Sequence, residues 1–545
     1  MDFLNVLLDW LFRANQKGAY RSALEYEAEK SGGVLSQQQL FARARDELAS
    51  GDTVSFGHLA RDEPIRVSLH IALMSALIIG ATGSGKTRLL LHLLTVLLRR
   101  QFRIDHDSEP FDFELELVDP KYETFDLLSQ YLAALWLSAG DEARERISDS
   151  VRVIDWSPDA VTPFAPFDNA GGEISNAYLS FLRTDVAIQS SAQTYTESLR
   201  QALFMFNRLL VEKRFPPNYR FAVRLFNDER YRRTVLGDVA DSDVRSYFDA
   251  VDRTLPRQTR EALLRRIQSD MAFPEVRLSV GIPPAEIEKL VRFSSRPIVI
   301  GNYGCSMSLP LSKGKERASY RLIDILLAAP RRDPRKKGLL VIEEAPVLLS
   351  GSSELGDPLM AAARTLRSAG MGIWFCAQDL ANALPSQVVR TLTLNTRWWA
   401  LFQSREEAEW VYPHVVASDE ELEQSEAERH REFLRTVHGL RRQHFYLLVK
   451  GQPALPLRAV DLPDPEISAQ ASVNELRDVF RREIASKSMV SAKVAGRLIE
   501  EWESSVVDQA EVPPSSRPTT KPTISNVDDL LRQLGVKKGK KGDES

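Results

Sequence analysis

Cysteine is scarce: the chain has two in 545 residues, Cys305 and Cys376. That excludes a disulfide framework and a four-cysteine metal site, and both residues lie in apolar stretches that read as core. A reducing cytoplasm is the expected compartment. Long hydrophobic runs are also missing. The apolar stretch from Phe3 to Phe12 is broken by Asn5 and Asp9 and falls short of the ~20 residues that a membrane-spanning helix needs. It does not read as a signal peptide, because Asp2 precedes it where positive charge is wanted. Leu4, Leu7, Leu8 and Leu11 instead predict one face of a short amphipathic helix. Charge of one sign is lacking too. A net charge of −4, with 27% charged and 43% hydrophobic residues, describes a globular protein on which any nucleic-acid surface must be local. There is no internal repeat, histidines such as His430 and His438 fall at no metal-ligand spacing, and no Ser/His/Asp or Cys/His set is identifiable.

What is present is more specific. Gly80-Ala81-Thr82-Gly83-Ser84-Gly85-Lys86-Thr87 follows the apolar run Ala76 to Ile79 and opens a helical run of Leu89, Leu90, Leu91, Leu93 and Leu94. This is a P-loop between a strand and a helix. Its glycines let successive backbone N–H groups curl round a phosphate, Lys86 reaches the β- and γ-phosphates, and the Thr87 hydroxyl binds Mg²⁺. The helix N-terminus behind the loop adds its positive dipole end. ATP and Mg²⁺ are therefore the expected ligands.

A P-loop needs an acidic partner at the end of a buried strand for the metal and a carboxylate that polarises water. Leu339-Leu340-Val341-Ile342-Glu343-Glu344-Ala345 places two carboxylates directly after four apolar residues, an arrangement costly to bury without a cation. Glu343 reads as the metal-side residue and Glu344 as the catalytic base. The run Ile373-Trp374-Phe375-Cys376-Ala377 ends in Gln378, placed to bond water or the γ-phosphate.

Strands alternating with helices predict an α/β fold with a mostly parallel sheet flanked by helices. Residues 1–53 read as a helical N-terminal segment, with Ala23 to Lys30 and Gln37 to Leu48 as helices. The core occupies 54–173 and 293–465, with strands at Val54 to Phe56, Ile65 to Leu69, Ala76 to Ile79, Leu115 to Val118, Val151 to Ile154, Pro297 to Ile300, Leu339 to Ile342, Ile373 to Ala377 and Arg397 to Phe402. Tyr320 to Leu327 reads as a helix of the core and Phe445 to Val449 as an edge strand. Residues 174–292 carry helical runs such as Ser198 to Lys213 and Arg257 to Met271, and read as an all-α insertion. A helical segment, 466–508, precedes a disordered linker at 509–545 with a short terminal helix, Val527 to Leu534, and a basic tail. That tail is a tethered site for a protein partner or a frayed terminus.

The chain resembles the HerA/FtsK superfamily of P-loop ATPases, which includes the TraD/TraG-like type IV coupling proteins of conjugation. The resemblance spans roughly residues 54–460. It is carried by the P-loop, by Asp119-Pro120-Lys121 after the next strand, by Glu343-Glu344-Ala345, and by Arg367-Ser368-Ala369-Gly370 followed by a strand and Gln378. Asn395-Thr396-Arg397 and the turn Pro163-Phe164-Ala165-Pro166, with Ala165 where asparagine is usual, add to it. An all-helical insertion is itself a coupling-protein feature.

The resemblance implies a RecA-like core in a homo-hexameric ring, with an arginine from one subunit reaching its neighbour's γ-phosphate. Arg364, Arg367 and Arg397 are the candidates, and the sequence does not choose among them. It also implies DNA, single- or double-stranded, as the substrate that the ring moves. The first 53 residues are too short and too helical for the N-terminal β-barrel of HerA proteins, and the transmembrane helices usual in coupling proteins are absent from this sequence. An ATPase that powers protein secretion or assembly, and a nucleotide-gated scaffold for an effector protein, stand as alternatives. The basic runs at Arg331 to Lys337 and Lys537 to Lys541 read as solvated charge before they read as phosphate contacts, and Trp398-Trp399 reads as strand packing.

Overall fold

The computed structural model describes residues 37–59, 62–104, 111–156, 159–163, 193–216, 218–270, 272–290, 297–303, 335–349, 368–378, 386–404, 406–415 and 425–507, with isolated residues between them (321, 322, 325, 332, 333, 366, 380 and 384). The helix expected at Ala23 to Lys30, most of Tyr320 to Leu327, the turn after Pro163, Cys305, Arg364, Arg367 and the tail 509–545 lie outside them.

These residues form two compact units, one from within 37–156 and 297–489, the other from within 159–163, 193–290 and 490–507. The first is built on eleven strands: β1 (Thr53–His58), β2 (Pro64–Ser68), β3 (Ala76–Ile79), β4 (Phe113–Asp119), β5 (Val151–Ile154), β6 (Ile298–Asn302), β7 (Lys337–Ile342), β8 (Met371–Ala377), β9 (Trp398–Leu401), β10 (His444–Val449) and β11 (Leu455–Ala459). They make one sheet in the order β2-β1-β11-β10-β9-β3-β8-β7-β4-β6-β5. From β9 to β5 every pairing is parallel, whereas β10, β11, β1 and β2 add an antiparallel wing.

Short apolar runs become central strands here because both faces are covered. All four residues of β3 and all seven of β8 are buried, as continuous hydrophobic strands of parallel sheets are. On one face Ile78, Leu115, Leu117, Val341, Trp374 and Cys376 share a core with helix α1 (Lys86–Gln101), through Leu90, Leu94 and Leu97, and with helix α2 (Glu123–Ser138), through Leu128 and Leu132.

The strand Phe445 to Val449, expected at an edge, is interior. β10 pairs with β9 on one side and β11 on the other, and Phe445, Leu447 and Leu448 are at most 1% exposed. The strand that covers it, β11, contains Pro456, which reads against a paired strand because it has no N–H to donate. Burial at every second residue of β11, Leu455, Leu457 and Ala459, outweighs that loss. Trp398 and Trp399 are buried within β9, in line with strand packing.

The second unit is helical, with Gln193–Lys213, Tyr219–Asn227, Glu229–Leu236, Ser242–Thr254, Arg257–Asp270, Pro274–Val280, Pro284–Leu290 and Ala492–Val507, plus a two-stranded ribbon of Ala160–Val161 and Val490–Ser491. Trp502 of the last helix packs edge-on against Phe215 and Phe221. Asn218 caps the helix that carries Phe221 and donates to Glu503 at 2.6 Å. The segment 466–508 is thus divided: Pro465–Ala469 and Val473–Val479 belong to the first unit, where Arg477 pairs with Asp126 on α2, and Ala492–Val507 belongs to the second. Among the described residues no helix is long and apolar enough to cross a membrane.

Candidate functional site

Four neighbouring parallel strands, β3, β8, β7 and β4, deliver the residues singled out in the sequence to one end of the sheet. In an open α/β sheet the crevice beyond the carboxyl ends of the strands is where ligands bind. The P-loop follows β3, Gln378 follows β8, Glu343 and Glu344 follow β7, and Asp119 ends β4. A cleft there is lined by Thr82, Lys86, Thr87, Glu343, Glu344 and Gln378, together with Gly83, Asp119, Lys121, Glu123 and Thr124.

The loop's shape depends on its glycines. A Cβ on Gly80 would stand 2.4 Å from Phe402 Cβ, so the loop leaves β3 in direct contact with the end of β9. Gly85, at φ 115°, is the N-cap residue of α1, and a Cβ there would lie 3.1 Å from Gln443 Cα. Backbone bonds hold the loop against the sheet: Ala81 N–H donates to Gln403 O at 2.8 Å, and Gln443 N–H donates to Ser84 O at 2.7 Å. Lys86 is only 7% exposed, and its ammonium donates to Gly80 O at 2.6 Å and Ala81 O at 3.1 Å. Burial pushes Lys86 below its ordinary range, against the pull of Glu344 and Glu343.

Glu343 is buried beneath this loop. Burial first, and then the neighbouring Asp119 carboxylate, push its carboxyl up to about 7. Its Oε2 is buried with no hydrogen-bond partner in the structure. An orphaned carboxylate oxygen in a cleft that Thr87 also lines fits a hard divalent cation that prefers oxygen ligands. Mg²⁺ is such a cation, held by one or two protein oxygens together with substrate phosphates.

Glu344 lines the same cleft, and its φ of 47° lies in the left-handed region, uncommon for a residue with a Cβ. Gln378 Nε2 donates to Glu344 Oε1 at 2.5 Å, Lys121 Nζ reaches the same oxygen at 2.9 Å, and Thr82 Oγ1 donates to Gln378 Oε1 at 2.7 Å. The residues Thr82, Gln378, Glu344 and Lys121 thus form one chain across the mouth of the cleft.

Asp119 and Lys121 entered the sequence reading only through family resemblance. Asp119 is fully buried, and its carboxylate accepts from the N–H groups of Lys121 and Phe125, both at 2.8 Å. It thereby does the N-capping that Tyr122, the residue at the cap position, does not do for α2. Burial raises its carboxyl, while these backbone bonds pull it back. An Asp four residues ahead of Glu123, the first residue of α2, is the available sequence signal for this role.

Arg397 is placed elsewhere. It stands at the start of β9, where its N–H donates to Ser75 O just ahead of β3, at the opposite end of that strand from the P-loop and ~13 Å away by strand rise. It does not line the cleft of its own chain. Arg332, in the basic run before β7, donates to Glu114 Oε2 at 2.8 Å, and His430 pairs with Glu409 at 2.8 Å.

No protein-family model matches the sequence, and no curated protein matches it. Among solved structures the chain is similar to the bacterial conjugative coupling protein TrwBdeltaN70 in an unbound monoclinic form, at 15% identity and a TM-score of 0.44, over 78% of this chain and 93% of that one. It is similar to the plasmid coupling protein TrwB in complex with ADP and Mg²⁺, at 14% identity and a TM-score of 0.44, over 80% and 95% of the two chains. It is also similar to VirB4 of Thermoanaerobacter pseudethanolicus, at 14% identity and a TM-score of 0.42, over 77% and 99%.

Proposed function

We propose that the protein is a Mg²⁺-dependent ATPase that acts as a ring-forming motor on DNA. The observation that carries the hydrolytic part is the meeting of a P-loop, two strand-end glutamates and a strand-end glutamine in one cleft. Lys86 and the loop N–H groups bind the phosphates, and bound Mg²⁺ would offset the charge on the phosphate oxygens. Thr87 and Glu343 would hold that ion. Glu344 accepts a proton from the attacking water, and Gln378, tied to both Thr82 and Glu344, orients the base relative to the loop. Water suits this arrangement better than a bound acceptor, since two adjacent carboxylates at a strand end and a glutamine bonded to one of them can hold and polarise a water.

The DNA part is supported by the order of motifs in the sequence and by the helical unit that interrupts the core, both in keeping with the coupling-protein resemblance. The homo-hexamer, an arginine acting from a neighbouring subunit, and a partner protein held by 509–545 belong to the same reading. The test is ATP turnover measured with single-stranded DNA, duplex DNA and no DNA, alongside the mass of the oligomer. Stimulation by DNA that fades with added salt supports the motor. Turnover indifferent to every DNA form, with a protein partner recruited through 466–545, favours a secretion or assembly ATPase.

A further inference from the structure

The cleft holds two lysines, and they are placed differently. Lys86 is committed to two carbonyls of its own loop. Lys121 is pinned at its backbone, where its N–H donates to Asp119 Oδ1, but its side chain is 38% exposed and its ammonium is held by Glu344 alone among the described residues. Glu344 is the more enclosed partner, at 11%, and the oxygen that meets Lys121 also accepts from Gln378. An ammonium has three donors and no fixed fork, so it passes between oxygen ligands with little geometric demand. A terminal phosphate offers it more negative charge than a carboxylate does.

Resting on the reading of the cleft as an ATP-hydrolysing site, we propose that Lys121 is a positioning residue that exchanges partners. It holds the Glu344 carboxylate until a terminal phosphate enters, then moves to that phosphate and leaves Glu344 to water. The Lys121–Glu344 pair therefore competes with the γ-phosphate and not with ADP, which makes the exchange measurable as nucleotide affinity without turnover.

The experiment measures affinities for ADP and for a non-hydrolysable ATP analogue, both with Mg²⁺, in the full chain and in Lys121→Met, Glu344→Gln and the double variant. Lys121→Ala serves as a second form, with thermal melting as the check on folding. With Lys121 present, Glu344→Gln should raise the preference for the analogue over ADP by roughly three- to tenfold, the scale of one part-buried ion pair. In the Lys121→Met background that gain should vanish, and Lys121→Met alone should weaken the analogue while sparing ADP. An equal gain in both backgrounds means plain repulsion between Glu344 and phosphate, and overturns the exchange. Equal weakening of ADP and analogue by both Lys121 variants overturns it as well. If no protein of the set binds either nucleotide, the ATPase reading falls and the exchange falls with it.

Discussion

The Thr82 hydroxyl donates to Gln378 Oε1 at 2.7 Å, joining the P-loop to a side chain 296 residues further along the chain. Because the other end of that amide donates to Glu344, the contact fixes which way Gln378 faces and ties the loop to the proposed base. Gln378→Ala should lower kcat by about one to two orders of magnitude, the usual range for a misplaced general base, with little change in melting temperature. Thr82→Val should have a smaller effect in the same direction. The two should be non-additive in a double-mutant cycle, as members of one hydrogen-bonded chain are. Steady-state ATPase assays on the four proteins check this; additive losses contradict it.

Lys86→Ala removes the buried ammonium at the centre of the loop. It should cut turnover by on the order of 10²–10³, the cost of losing one preorganised charge-stabilising donor, and weaken ATP binding. Fluorescent-nucleotide titration together with an ATPase assay reads both effects.

Gly80→Ala puts a Cβ 2.4 Å from that of Phe402, so either the loop or β9 has to give. The expected cost is about 1–3 kcal/mol of stability, as for other overpacked sites. Phe402→Gly in the same chain removes the obstructing carbon and should recover part of the steric loss in nucleotide affinity, though not the lost core packing. Chemical denaturation and nucleotide titration separate these effects; unchanged stability in Gly80→Ala would show that the close approach has no energetic weight.

His414 stacks on Trp399, with ring centroids 5.1 Å apart and planes 15° from parallel. Burial, with the Lys450 ammonium nearby, pushes its imidazole down to about 4 from an ordinary 6.5. Between those values the unfolded chain binds a proton that the folded one does not. The stability contributed by neutral His414 is therefore present above pH 6.5 and lost as pH falls towards 4. Relative to His414→Phe, the wild type should lose stability across that window and run parallel to it above pH 7. Urea denaturation at a series of pH values reads the difference, and a constant gap throughout contradicts it.

Legibility followed the strength of local patterning. The P-loop, β3, β8 and the Glu343-Glu344 end of β7 were readable because short apolar runs between turn residues leave few alternatives to a buried parallel strand. β11 was not readable, because Pro456 argues against a paired strand and only its neighbour in space justifies it. The helix at 492–507 was legible as a helix but not as part of the second unit, since sequence distance hides the packing of Trp502 on Phe215 and Phe221. In the cleft, residue types were readable but partners were not. Nothing local indicates that Lys121 meets Glu344, or that Gln403 and Gln443 hold the loop through their backbones. Contacts of that kind arise from strand order, which the sequence does not display.

The central claim is that Glu344 is the base of a Mg²⁺-dependent ATP hydrolysis site built on Lys86 and Thr87. Its most direct test is ATP turnover and ATP affinity in wild type and Glu344→Gln, with Mg²⁺ present and then chelated. The account predicts Mg²⁺-dependent turnover in the wild type and a variant that binds ATP at least as tightly yet fails to hydrolyse it. Undiminished hydrolysis by Glu344→Gln, or wild-type turnover that survives chelation, would contradict it.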